Sequence, residues 1–178
     1  MKTYQLFQAI KPLIDAALAA AGVSAVLTQS YQPTQQGTAA VTQVFMQQLT
    51  SKRYGWVKRS EVWNVLNQNF DHVESQRMET VFQVGATTVM NQSTVTQLSS
   101  SDILDIVASA LQSDSSIAAL WAAGIGVLRV TDINNPYFLN DKDRFQSSPS
   151  FDLTVGHKHD TITSTPNAYP FESDIYPI

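Results

Sequence analysis

Between Val41 and Ala86 apolar and polar residues alternate over long stretches, while helically spaced segments stand on both sides. A period of two belongs to strands and a period near 3.6 to helices, so the chain must build a sheet and place helices against it. Val41, Gln43, Phe45, Gln47 and Leu49 fall on one face of a predicted strand, with Thr42, Val44, Met46 and Gln48 on the other. Ser51 to Gly55 supplies a predicted turn, and Trp56 to Asn67 returns as a strand carrying Trp56, Val57, Val62, Trp63 and Val65. The pair makes a long hairpin, with a second connection over Leu66 to Glu74. Glu79 to Ala86 is the next strand, with Thr80, Phe82 and Val84 sharing a face.

On the N-terminal side, Leu6, Ile10, Leu13, Ile14, Ala17, Leu18 and Ala21 recur at steps of three and four and predict a helix that Gly22 ends. Val23 to Thr28 reads as a short buried strand, followed by a polar loop from Gln32 to Gly37. On the C-terminal side, Ser99 and Asp102 have capping-box spacing ahead of Ile103, Leu104, Val107, Ala110 and Leu111. A second short helix, Ile117 to Ala123, is capped by Ser115 or Ser116 and stopped by Gly124. Ile125 to Asp132 is a buried strand and Asn134 to Pro149 a polar loop. Ser150 to Val155 alternates again, and Asp160 to Thr165 either extends that strand or starts another. Leu104, Val107, Leu111, Val127 and Val130 are expected to pack together.

The predicted fold is therefore α+β: a mixed or antiparallel sheet with a long β-hairpin, packed against an N-terminal helix and a central helix. With 178 residues, one domain over 1–165 can bury a sizeable core. Residues 166–178 hold Pro166, Pro170 and Pro177 among Tyr169, Phe171, Ile175 and Tyr176. That stretch is too proline-rich for a helix or central strand and too apolar for a free tail. It is expected to dock, either on a neighbouring subunit or back on its own domain.

Charged residues make up only 15% of the chain, and Gln, Ser and Thr fill the polar positions. A surface of neutral polar groups is poorly defended against association, which suits a protein covered by copies of itself. The net charge is −4, without a run of Lys or Arg, so gripping nucleic acid is not expected. Cysteine is absent, which rules out disulfides, thiol catalysis and Cys-ligated zinc. Lys11, Pro12 and Asp15 interrupt the apolar N-terminal stretch, so it reads as a helix and not a signal peptide. No segment is long enough to span a membrane, and synthesis in a host cytoplasm is expected.

Candidate chemistry fails position by position. His157 and His159 would share a strand face, but His72 is the only other histidine and no carboxylate has ligand spacing nearby; an exposed strand end is the expectation. Counting an EF-hand loop from Asp141 puts Gln146 and Asp152 where Gly and Glu are needed. No G-x-S-x-G elbow occurs, and Gly124-Ile125-Gly126 lacks a third glycine and precedes a strand. Trp56, Trp63 and Trp121 read as core or subunit packing before sugar or base stacking. Catalytic, cofactor-binding and metal-binding residues are accordingly assigned as none, and the chain is not expected to be an enzyme.

The segment Ala123 to Asp152 reads AGIGVLRVTDINNPYFLNDKDRFQSSPSFD. Its buried strand, the D-I-x-N-P-Y turn and N-D-x-D-R-F-Q-x-S-P-S-F-D resemble the neck or tail terminator proteins of long-tailed phages. Elsewhere the resemblance is one of layout. It implies a virion structural protein at the head–tail junction, forming a homohexameric ring that stops the tail tube growing and joins it to the neck. It also implies partners in the tube, the sheath and a head-completion or connector protein, with DNA only as passing cargo, no membrane and no cofactor. Interface residues are expected at Trp56, Trp63, Arg144, Phe145, Tyr169, Phe171 and Tyr176. Arg129 and Arg144 either pair with Asp132 or Asp143 or are solvated. The competing reading is a non-enzymatic binding module using Trp56, Trp63 and Tyr31 as an aromatic platform.

Overall fold

Helix α1, Thr3–Ala20, begins where the Gln5 side chain accepts from the Lys2 N–H at 2.7 Å, and ends at Gly22 with φ +71°. Its Leu6, Ile10, Ile14 and Leu18 are fully buried, so the predicted stripe is the face that packs. The chain is described by a computed structural model over residues 1–25, 27–29, 42–88, 96–139 and 145–165. After α1 come β1 (Leu27–Gln29), β2 (Gln43–Asn64) and β3 (Asn69–Thr87), then α2 (Ser100–Leu111) and α3 (Asp114–Ala122). The order closes with β4 (Ile125–Val130), β5 (Tyr137–Leu139), β6 (Phe145–Ser147) and β7 (Ser150–Thr165).

Five strands form one mixed sheet in the order β1-β2-β3-β7-β4, parallel only between β1 and β2, while β5 and β6 make a small separate hairpin. The fold is α+β with all three helices on one face of the sheet. Val44 and Met46 of β2, Phe82, Val84 and Ala86 of β3, and Phe151, Leu153 and Val155 of β7 meet the α1 stripe and Ile103, Leu104, Val107 and Leu111 of α2. Val127 and Val130 pack at the margin of this core. Asp15 and Lys11, the charges that broke the N-terminal apolar run, hold both backbone groups of Leu27. The Leu27 N–H donates to Asp15 and its carbonyl accepts from Lys11, each at 2.8 Å.

On the opposite face the Phe45 ring lies over Gly85 so closely that a Cβ there would stand 2.5 Å from it. Gln47 donates to Gln83 beside this contact at 2.7 Å.

Four expectations change. The hairpin turns at Val65–Gln68, not at Ser51 to Gly55, and β2 runs unbroken through the expected turn. The turn signal there is a bulge: pairing jumps from Tyr54↔Arg77 to Lys58↔Ser75, and Gly55 takes φ +63°. A glycine inside a strand marks a bulge as readily as a reversal. The short strand after α1 is Leu27–Gln29, beginning later than expected. Helix α3 is capped by Ser113, whose Oγ accepts from the Ser116 N–H at 3.3 Å, because only two residues separate it from α2. The loop after β4 is zipped back to β7 by reciprocal 2.8 Å bonds between Asn134 and Ser150. Asp160 to Thr165 does extend the strand begun at Ser150.

Candidate functional site

Past Thr80 the sheet outruns its helices. Strand β2 from Leu49 to Trp63 is exposed at every residue, and β7 is exposed from Asp160 to Thr165. With β3 between them these segments form a bare three-stranded arm. At about 3.3 Å per residue, the stretch of β3 from Glu79 to Asn69 extends roughly 35 Å.

Cross-strand side chains dress the arm. On the face that continues the helix side, Trp63 meets Phe70 edge-on with ring centroids 4.9 Å apart, and Arg59 donates to Glu74 at 2.9 Å. His72 stands 3.3 Å from Glu61. On the other face Asp71 accepts from Ser164 at 2.6 Å and from Asn64 at 2.9 Å, and the two bonds, the first above all, hold its carboxyl below the ordinary range. Ser75 likewise donates to Asp160 and lowers it. Glu79 accepts from the Tyr54 hydroxyl and raises the phenol. At the bulge, the Gln76 amide donates to the carbonyls of Tyr54 and Gly55, closing the gap left by the unpaired residues. Lys52, Arg53, Lys58, Arg59, Arg77 and Lys158 all belong to the arm, interleaved with Glu61, Asp71, Glu74, Glu79 and Asp160. The charge is mixed, not a basic patch.

The tryptophans stand outside the core. Trp56 at the bulge is 97% exposed, Trp63 on the arm 49% and Trp121 on α3 75%. The core reading of these residues therefore fails, because no described element covers the faces they occupy. Trp56 and Trp63 are not brought together: seven residues of strand, about 20 Å, separate them. Of Phe145 only the backbone, in β6, is described; Arg144, Tyr169, Phe171, Tyr176 and Tyr31 lie outside the described residues, as does the segment 166–178. Arg129 is exposed on β4.

His157 is not an exposed strand end. It is 8% exposed, with Nε2 3.0 Å from the Thr80 hydroxyl, at the level where arm meets core. Burial lowers its pKa, and the Met1 ammonium and His159 push it the same way against the Lys158 backbone. His159 turns to the Met1 carbonyl, Nδ1 to O 3.1 Å, and the Met1 ammonium donates to the Lys158 carbonyl. Among the described residues no three His, Cys, Asp or Glu side chains could hold a metal. No single helix among them is long and apolar enough to cross a membrane.

Sequence reasoning missed Ile162, 63% exposed on β7, and the edge around it, which has no outer partner among the described residues. The run Thr161-Ile162-Thr163-Ser164-Thr165 was the available signal: β-formers without charge or proline.

The family described as E217 gateway protein gp29 matches residues 5–167 of this chain. No curated protein matches it. Among solved structures, the chain is similar to the sheath/tube terminator of an extracellular contractile injection system, PVC, in its extended state, seen by cryo-EM. The two share 10% identity with a TM-score of 0.49 over 100% of this chain, and this chain covers 64% of that one.

Proposed function

This chain belongs to the family of the E217 gateway protein gp29, and from that membership we propose that it is a structural component of a phage head–tail junction. The observation that carries the reading is the extent of the match, 5–167, which takes in both the helix-covered core and the arm. It agrees with the resemblance to phage neck and tail terminators drawn from Ala123 to Asp152. The role is to end the tail tube and to join it to the neck, performed through surfaces and not through a reaction.

The proposed assembled form is a six-fold ring of this chain, in contact with tube, sheath and head-completion proteins, through which DNA passes without specific binding. The bare arm supports an assembly role, since it exposes Trp56, Val62, Trp63, Val65, Leu66 and Ile162 away from the described helices. A long strand with open edges is a liability in a monomer. The segment 166–178 follows directly from β7 at the far end of the arm, which favours docking on a neighbour over folding back onto the helices.

Cryo-EM of the particle neck tests the reading. Density fitting this chain in a six-fold ring between tail tube and head is expected. Its absence from the neck, or another symmetry there, would overturn the ring.

A further inference from the structure

Among the described residues the arm has two open edges, and they are complementary. On its outer side β2 has no described partner beyond Met46, where β1 ends; on the other side β7 has no described outer partner beyond His157, where β4 begins. Both strands run from the core toward the tip, β2 ending at Asn64 and β7 at Thr165. In copies standing side by side with their arms parallel, the β2 edge of one faces the β7 edge of the next, and the two can pair as parallel strands. One repeated head-to-tail contact then satisfies both edges of every copy and closes on itself.

The side chains along these edges fit such pairing. On one face, Ser60 and Val62 of β2 are level with Ile162 and Ser164 of β7, through Val73 and Asp71 of the strand between. All four are uncharged, and Val62 and Ile162 are 53% and 63% exposed. From Thr161 to Thr165 the β7 edge carries no lysine, proline or bulge, the devices by which natural sheets blunt their edges. The bulge at Gly55 to Val57 lies nearer the core and leaves Lys58 to Asn64 regular.

We infer that the arms of neighbouring copies join edge to edge, β2 of one to β7 of the next in parallel, into a continuous β-barrel. This rests on the ring reading above and adds the contact that builds it. A ring of six would supply about eighteen strands, a size at which barrels leave an aqueous channel instead of a packed interior.

Disulfide mapping on the full chain tests it, helped by the absence of native cysteine. Ile162→Cys is combined in turn with Lys58→Cys, Ser60→Cys or Val62→Cys, all on the same face. Within one chain β2 and β7 lie two strand spacings apart, about 9.5 Å, beyond disulfide reach of about 4.4–6.8 Å between Cα atoms. Every cross-link is therefore intermolecular. In assembled particles at least one pair should ladder up to a closed covalent ring on oxidation, while the single variants stay monomeric on denaturing gels. Homodimers of single variants would mean two-fold pairing of like edges and overturn the inference. Failure of all three pairs while native mass spectrometry still reports the ring would overturn the barrel and leave the ring. Absence of any oligomer in particles that contain the chain would remove both.

Discussion

From Val44 to Gln47, β2 alternates buried and partly exposed side chains; Val44 and Met46 press into the helices while Phe45 covers Gly85. From Leu49 to Trp63 the same strand buries none. Backbone pairing with β3 continues through both halves, interrupted only at the bulges. The difference is what each half leans on. The near half is fixed by apolar burial, worth roughly 1.5–3 kcal/mol for each fully buried large side chain. The far half has only its hydrogen-bond ladder and cross-strand pairs such as Trp63–Phe70 and Arg59–Glu74, each worth about 0.2–1 kcal/mol. One sheet thus contains a region held by a buried core and a region held by backbone pairing and surface side-chain pairs, which is expected to be the less stable of the two in the isolated chain.

The sharpest way to break that comparison is to truncate one residue on each side of it. Leu104→Ala or Leu111→Ala removes a fully buried side chain from the α2 face and should cost roughly 2–5 kcal/mol in chemical denaturation. Val62→Ala on the arm should stay within about 0.5 kcal/mol, the range of surface changes. Comparable losses at the two sites would show that the arm carries folding energy in the isolated chain.

Gly85 tests how far the near half extends onto the uncovered face. An added methyl would collide with the Phe45 ring, so Gly85→Ala should cost about 1–3 kcal/mol, the usual range for overpacking. Phe45→Ala in the same chain should recover part of that loss, because it removes the colliding atoms. A neutral Gly85→Ala would mean that Phe45 moves aside freely and that this face is not fixed.

The near half was the legible half. Alternation put Thr80, Phe82 and Val84 on one face, which is the buried one, and helical spacing grouped Leu104, Val107 and Leu111, which are buried as well; the Val127 and Val130 expected beside them reach only the margin of that core. Ser99 and Asp102 form the capping box that their spacing predicts, with the Asp102 N–H donating to Ser99 at 3.2 Å. Burial writes itself into sequence as a period. The arm has no buried face, so its period carries no such constraint, and Gly55 with its Ser and Lys neighbours reads locally as a reversal. What decides between bulge and turn is Gln76 and the far partners Arg77 and Ser75, which lie some twenty residues away. Trp56 and Trp63 were legible as exceptional residues, but their exposure depended on where the helices stop. His157 was misjudged for the same reason: only the fold reveals that Thr80 and the N-terminus close over it.

His157 marks the boundary itself, and its titration measures how firmly the two halves are joined. Its ring is buried against Thr80 of β3, and the charges around it are the Met1 ammonium, Lys158, His159 and Asp160. Burial favours the neutral imidazole, so the folded-state pKa lies below the ordinary 6.5. Unfolded chains then bind the proton first, and stability rises with pH across that window. The contribution is fully present above about 6.5 and is lost as pH falls from there toward the depressed folded value. Asp71, Asp102 and Asp160 are lowered too, but from 3.8, so their losses come only in stronger acid. Thermal melts between pH 7.5 and 5 should therefore show a decline that His157→Gln reduces while leaving the slope below pH 4 unchanged. Equal slopes for the two proteins across pH 7.5 to 5 would mean that the ring is solvated when charged. The junction between core and arm would then be open to water, and the two halves less distinct than their burial suggests.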